Sequence, residues 1–574
     1  MSQSLDAQHE EMRRRIRSLT SMLHKFTVKQ PATKQLHDIS PLLRHSTTLL
    51  TCDDVDSEMK NVIAVTGSIS PGRQVRVLIV SQNPHLTSSV QDISLKVVQK
   101  GKRSLNEMMT GPSSPGLTDH IADVWAALSS FDALETDNDD QMELLELFFL
   151  TRSYRNFTKR FRGDCTLFGG KRLLDVISQW RPDPRRHEIG PRWVVSPQWL
   201  LCIEGLPVMK SRIVNGQLEW EFSDDTKGAW SIILGVFLRA VDCMIENVKS
   251  AKGEEKVREA MIDLNYWCIG LYCLITWKAG IVKSLLTRTD MIDSITTASM
   301  PVKAAGDADL VELQQELGES KDADLVELEL GESKGEQVYR YLESVIAWQA
   351  ALNYLSTPSL LKLLKTIEIG LIEVPRSPSS VLTLHEIVDE FFLRYPHMIE
   401  DRQDVVEALE THYSDTFSGC IHASATLMGL VGYYGDNLMH KSHDVGIENP
   451  EVMQWIVQPM PDAGEAVIAV SKKCCWCCDW LGRRLKTRFV LPGTHGIMYP
   501  WDPPKFGVSV SLLKRLEEEL WKELYQAVEN LVEPSHSQHS FRFHSPRWLS
   551  MRQGPVKPGR MRKVKYFKRR KEGQ

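Results

Sequence analysis

The sequence predicts a multidomain chain: a mainly α N-terminal region followed by a C-terminal α/β domain. Three observations carry that prediction. Through the first three hundred residues apolar side chains recur at spacings of three and four, the period of a helix with one buried face. From about Tyr395 the pattern changes to alternating helix and strand, as an α/β domain requires. In that second part lies Ser471-Lys-Lys-Cys-Cys-Trp-Cys-Cys-Asp-Trp480, which places four of the eleven cysteines within five residues.

Size and composition agree with a folded, multi-core protein. At 574 residues the length prior gives roughly three or four domains' worth of core. A hydrophobic share of 42 % with 25 % charged residues is that of a globular protein. The start, Met1-Ser-Gln-Ser-Leu-Asp-Ala-Gln-His-Glu, has no apolar signal core. Singly scattered cysteines (Cys52, Cys165, Cys202, Cys243, Cys268, Cys273) suit a reducing compartment with buried thiols. The expected location is intracellular, cytoplasmic or nuclear. The strongest membrane candidate, Tyr266 to Val282, is broken by Lys278 and is short against the ~20 residues a span needs, so it reads as a buried helix and no membrane partner is expected.

The elements follow in order. Ile121 to Leu128 and Met142 to Leu150 have helical periodicity, and the more apolar Ala229 to Met244 and Ala260 to Thr276 suit the centre of one helical core. Between them, Trp193-Val-Val195, Ile213-Val214 and Leu218 to Phe222 suggest short strands around the turn Asn215-Gly216. Residues 1–300 thus read as a helical region of unassigned chemistry. Asp307-Ala-Asp-Leu-Val-Glu-Leu313 recurs as Asp322-Ala-Asp-Leu-Val-Glu-Leu328. Two copies are too few for a solenoid, so the acidic stretch 301–335 reads as a linker and a domain boundary. Helices are expected over Glu336 to Leu355 and from Pro358 to Leu364, within a lead-in of 336–394.

In the domain expected over 395–535, Asp404 to His412 is helical and His422 opens a helix running to Val431. Ala466 to Val470 is a strand, Cys474 to Leu485 a helix, and Thr487 to Pro492 a strand ending at Gly493-Thr-His-Gly496. Leu512, Leu513, Leu516, Leu520, Leu524, Val528 and Leu531 trace one face of a last helix. The 536–574 tail reads as disordered. Between Val556 and Gln574 it holds nine Lys or Arg and one Glu, about +8, within a chain of net charge −5. Such a block suits nucleic acid or an import receptor; a solvated tail without a partner is the plain alternative.

The cysteine cluster carries the chemistry. A strand feeding a helix that bears Cys475-Trp-Cys-Cys478 offers two thiolates one turn apart near a helix N-terminus, where the dipole favours the anion. A histidine opening another helix completes the ligand types of a zinc site. The spacing leaves two registers open, Cys475 with Cys478 or Cys474 with Cys477. It also leaves room for Cys420 to close the shell as a structural site, and for a plain redox pair.

A helix-borne His, then a strand, then a helix-borne Cys-x-x-Cys is the skeleton of the zinc-dependent nucleic-acid and nucleotide deaminases, and this chain resembles that superfamily. The Ser471-Lys-Lys-Cys-Cys approach, the Gly493 to Gly496 turn and the Tyr499-Pro-Trp-Asp-Pro-Pro504 segment look most like a branch expanded in fungi. The resemblance covers about Tyr395 to Glu533. It implies a cytidine-deaminase-like three-layer fold, with His422, Cys475 and Cys478 on Zn2+ and a water activated for attack on a nucleobase. It also implies a hairpin ahead of the zinc-histidine helix, yet none is evident between Leu355 and Phe417.

The superfamily's general acid/base is a Glu two residues after the zinc histidine. Here that position is Ser424, whose hydroxyl has no accessible pKa and reaches two atoms less far. General acid–base catalysis contributes roughly 10²–10⁴-fold. The expected function is therefore a deaminase-like zinc protein with impaired catalysis, a nucleotide- or nucleic-acid-binding or regulatory pseudoenzyme. The alternatives are an active deaminase with a relocated base and a structural-zinc interaction protein. His495, in the Gly-Thr-His-Gly turn, is a candidate contact for a substrate phosphate or base, with an ordinary turn histidine as the alternative. Trp501 is a candidate stacking residue or a packing anchor.

Overall fold

Two runs rich in β-branched and aliphatic residues, Ile63-Ala-Val-Thr and Val75-Arg-Val-Leu-Ile-Val-Ser81, set the architecture from the first hundred residues. In the computed structural model they form an antiparallel hairpin at the centre of a sheet. The structure describes residues 2–32, 39–51, 62–70, 74–82, 93–110, 116–131, 138–163, 172–183, 189–289, 291, 333–436 and 465–532. The expected linker repeat, the basic tail, Cys52 and Cys165 lie outside them.

In chain order the strands are β1 (Ile63–Ser70), β2 (Gln74–Gln82), β3 (Ser94–Val98), β4 (Arg192–Val195), β5 (Ser211–Val214), β6 (Gln217–Phe222), β7 (Glu368–Glu373), β8 (Glu465–Val467), β9 (Ala469–Val470) and β10 (Arg488–Val490). A five-stranded sheet has the order β3-β7-β2-β1-β9. Its β2–β7 pair is parallel and the other pairs are antiparallel. β8 and β10 form a separate parallel pair. The expected single strand Ala466 to Val470 is thus two: fully buried Ile468 separates β8, paired with β10, from β9, paired with β1.

The chain divides into two compact units. Of the described residues, the first takes those within 1–101, 116–122 and 362–532; the second takes those within 102–115 and 123–361. This corrects two expectations. Residues 1–300 are not one helical region, because β1, β2 and β3 pair with β7 and β9 and so bind the first hundred residues to the C-terminal part. The duplicated stretch is not where the units divide. The helices on either side of it, Ile281–Arg288 and Lys334–Val345, pack on one another inside the second unit. Between Leu355 and Phe417 the structure has the single strand β7 and no hairpin, while β1 and β2 pair antiparallel at 63–82.

In the first unit the N-terminal helix α1 (Ser2–Lys25) runs along the C-terminal helix Val510–Val532. Their apolar faces meet through Ile16, Leu19 and Leu23 on α1 and Leu513, Leu516, Leu520, Leu524 and Val528 on its partner, all 0 % exposed. Leu531, expected on that face, is exposed. The helix Ala423–Asp436 packs against β1 and β2.

The second unit is built on Lys227–Ser250 packed against Glu254–Thr276. Trp230, 1 % exposed, sits among Trp220, Phe222 and Trp277, and its indole N–H donates to the Glu221 carbonyl at 3.0 Å. The expected strands form a three-stranded sheet, β4-β6-β5. Its turn has both central residues at positive φ, Asn215 at 50° and Gly216 at 76°, the conformation the Asn-Gly pair favours. Among the described residues Lys227–Ser250 is long and apolar enough to cross a membrane, and half of that window is buried.

Candidate metal centre

His422 immediately precedes the helix Ala423–Asp436, and its carbonyl accepts the Thr426 N–H at 2.9 Å. The chain reverses after β9, and Cys475 caps the short helix Trp476–Gly482: its sulfur accepts the Cys478 N–H at 3.4 Å. That cap turns Cys475 and Cys478 to the same side, one helical turn apart.

These two thiols and the imidazole meet. His422 Nδ1 is 3.2 Å from Cys475 Sγ and 3.6 Å from Cys478 Sγ, and the three ligand atoms lie within 4.8 Å of one another. A tetrahedral zinc with ordinary Zn–S and Zn–N lengths requires N···S separations of about 3.5 Å. The donor set and spacing therefore fit a tetrahedral metal with a fourth position left over. Among the described residues no carboxylate belongs to the group.

The surroundings are apolar. Cys478 is 0 % and Cys475 4 % exposed, while His422 keeps a half-buried edge. Burial pushes both thiols well above the usual range; the adjacent Cys475 adds to the rise at Cys478 and His422 opposes it. In the metal-free chain they are neutral thiols, and a metal would have to displace their protons.

The other cysteines sit differently. Cys474 is buried and is not a member of the group. The Ser424 hydroxyl shares a hydrogen bond with its thiol, which offsets part of the rise that burial imposes. Cys420 is also buried, its thiol pushed up to about 12, first of all by desolvation. The grouping that the spacing left open is thus His422 with Cys475 and Cys478, without Cys474, Cys477 or Cys420.

Ser424, 3 % exposed, points to Cys474 from the helix that His422 opens. His495 stands nearby, half-buried. Its Nδ1 accepts the Ile497 N–H at 3.1 Å, so its neutral form carries the proton on Nε2. Its ring meets Tyr499 edge-on with centroids 5.4 Å apart, and Tyr499 also flanks His422 at 6.4 Å and His24 at 5.4 Å. Trp501 is 0 % exposed and presents no face to a ligand; its backbone pairs with Cys420.

Nothing in the sequence ties His24, Arg13, Arg17 and Thr20 to the site, since about four to five hundred residues separate them from it. Yet a signal existed. Arg13, Arg17, Thr20 and His24 follow one another at spacings of four, three and four, a polar stripe along the side of α1.

Residues 448–505 match a family described as OTT_1508-like deaminase. The match contains Cys475, Cys478, Ser471-Lys-Lys-Cys-Cys and the Gly493–Tyr499 turn, but not His422. No curated protein and no solved structure matches the chain. The protein therefore carries a deaminase-like domain with a His/Cys/Cys group able to bind a metal.

Proposed function

We propose that this protein is a deaminase-like zinc protein of impaired catalysis, acting as a nucleotide- or nucleic-acid-binding or regulatory pseudoenzyme. One observation carries the reading: three ligand atoms sit at metal-binding spacing with no carboxylate among them, and the residue two after His422 is a buried serine engaged with Cys474. His422 Nδ1, Cys475 Sγ and Cys478 Sγ would hold the zinc. When bound, zinc supplies water activation at neutral pH and polarisation of a substrate atom. Among the described residues no carboxylate belongs to the metal group to carry a proton to the leaving ammonia. Ser424 cannot hold that proton, and the carboxylate of Asp502 is committed to Arg13 and Arg17. Losing this step removes roughly 10²–10⁴-fold of rate. A pocket that keeps metal and loses turnover is suited to binding. His495 and Tyr499 are its proposed ligand contacts, and the cations of 556–574 are proposed to contact phosphates or an import receptor.

The family match to a deaminase favours a second reading, an active enzyme with a relocated base. Metal content and turnover separate the two. The zinc-loaded chain is expected to bind nucleoside monophosphates or single strands without releasing ammonia, and Ser424→Glu to gain activity. Ammonia release by the wild type that His422→Ala abolishes would establish the second reading. Wild type and Ser424→Glu both without ligand binding would leave a structural metal site.

A further inference from the structure

The residues from Thr494 to Pro503 connect everything in the candidate site. On one side this segment braces both ligand arms. Thr494 bridges to Cys474, and the Trp476 N–H donates to the Ile497 carbonyl at 3.1 Å, which steadies the arm of Cys475 and Cys478. Trp501 bridges to Cys420, and the Asp502 N–H donates to the Cys420 carbonyl at 3.1 Å, two residues ahead of His422.

On its other side the segment is fastened along α1. Arg13 and Arg17 donate to the two Asp502 oxygens at 2.6 Å and 3.2 Å, and Arg13 Nε donates to the Pro503 carbonyl at 3.1 Å. The Thr20 hydroxyl accepts the Trp501 N–H at 3.0 Å and donates toward its carbonyl at 3.2 Å. His24 Nδ1 lies 3.0 Å from the Met498 carbonyl, and the Gln30 N–H donates to the Gly496 carbonyl at 2.9 Å.

We infer that Arg13, Arg17 and Asp502 are positioning residues for the metal group, so that metal binding and docking of α1 form one coupled equilibrium. The inference rests on reading His422, Cys475 and Cys478 as the ligands. Its physical basis is the burial of the ion cluster: the side chains of Arg17 and Asp502 are 0 % exposed. Removing both arginines leaves the Asp502 carboxylate without compensation in an apolar setting, and removing Asp502 leaves Arg13 and Arg17 only the half-exposed Glu10 at 2.8 Å from each; the structure relieves either by moving chain or admitting water. The chain free to move is the segment that sets the spacing between His422 and the thiols. Outer-shell partners of metal ligands typically contribute about 10- to 100-fold in affinity, and coupling of this kind is reciprocal.

The test is a Co2+ titration of the full chain, followed by thiolate-to-cobalt absorption. It compares wild type with Asp502→Asn, the double variant Arg13→Gln/Arg17→Gln, their combination, and the milder Thr20→Val. Asp502→Asn and the double variant are each expected to weaken cobalt binding about 10- to 100-fold. Their combination should lose no more than the worse of the two, and Thr20→Val should lose less in the same direction. In the wild type, cobalt should slow amide exchange across residues 13–25. Equal cobalt affinity in wild type and Thr20→Val, with exchange in α1 indifferent to the metal, overturns the coupling while leaving the metal site standing. A wild type that binds no cobalt overturns both readings.

Discussion

Both units bury cysteines, and the contrast between them separates a packed thiol from a candidate ligand. Cys268, in the second unit, is 2 % exposed on the helix Glu254–Thr276, and burial alone raises its thiol above the usual range. Cys475 and Cys478 are buried to a similar degree, but each faces the other and the His422 imidazole. Burial without a polar partner is ordinary for cysteine. Burial of two thiols against an imidazole at 3.2 Å and 3.6 Å is what a metal would repay. The units also cohere differently: aromatic packing around Trp230 holds the second, whereas long-range polar ties from α1 brace the site of the first.

The sharpest way to break the contrast is metal stoichiometry. Purified wild type is expected to hold about one zinc per chain, with His422→Ala and Cys475→Ser close to none by elemental analysis. Cys268→Ser should leave the content at the wild-type level. Zinc retained by His422→Ala would mean that the thiols bind it without the imidazole, and the deaminase-like site would lose its support.

Next in size is the aromatic core of the second unit. Trp230→Ala removes a side chain 1 % exposed and leaves the Glu221 carbonyl without its indole donor. The loss should be about 3–5 kcal/mol in urea unfolding, with zinc content unaltered. A fall in zinc content would show that the metal group is lost when the core around Trp230 is weakened.

What the sequence made legible, and what it hid, follows the same division. In the second unit the elements are local. The helices at 229–244 and 260–276 and the strands around Asn215-Gly216 were readable from period and turn chemistry, and the structure has them at 227–250, 254–276 and 192–222. In the first unit the ligand residues stand in a dense local motif, and His422, Cys475 and Cys478 were readable as candidates. The braces were not, because the polar stripe on α1 marks hydrogen-bonding residues without naming Asp502 as their partner, and no window of neighbouring residues says that β1 pairs with β9. Sequence distance hid the hairpin too: the run 63–82 has strand composition, but it lies about three hundred residues before its parallel partner β7.

Two glycines sharpen the comparison on a smaller scale. Gly496 has φ +77°, and a Cβ there would lie 1.8 Å from the Gln30 carbonyl oxygen; Gly216 has φ +76° with nothing within 4 Å. Gly216→Ala should therefore cost about 1 kcal/mol for backbone conformation alone. Gly496→Ala should cost roughly 1–3 kcal/mol and weaken metal binding as well, because the brace between α1 and the thiol arm has to shift. Paired urea melts and zinc competition measure both. Equal losses at the two positions, with zinc affinity intact, would show that contact with Gln30 does not matter.

The smallest effect expected concerns a surface tie of α1. Glu386 is lowered from the usual carboxylate value to about 2, first by the Arg14 guanidinium and then by the Thr383 backbone N–H it caps. A carboxylate whose folded pKa is depressed contributes stability that is complete above its unfolded value near 4.5 and is lost as pH falls toward 2. Its side chain is 43 % exposed, so screening limits the contribution to about 0.5 kcal/mol. Glu386→Gln should accordingly be slightly less stable than wild type at pH 6, and the gap should roughly halve by pH 3, closing only below pH 2, in urea unfolding. A gap of the same size at both values would assign the effect to the cap geometry, which glutamine partly keeps, and not to the charge facing Arg14.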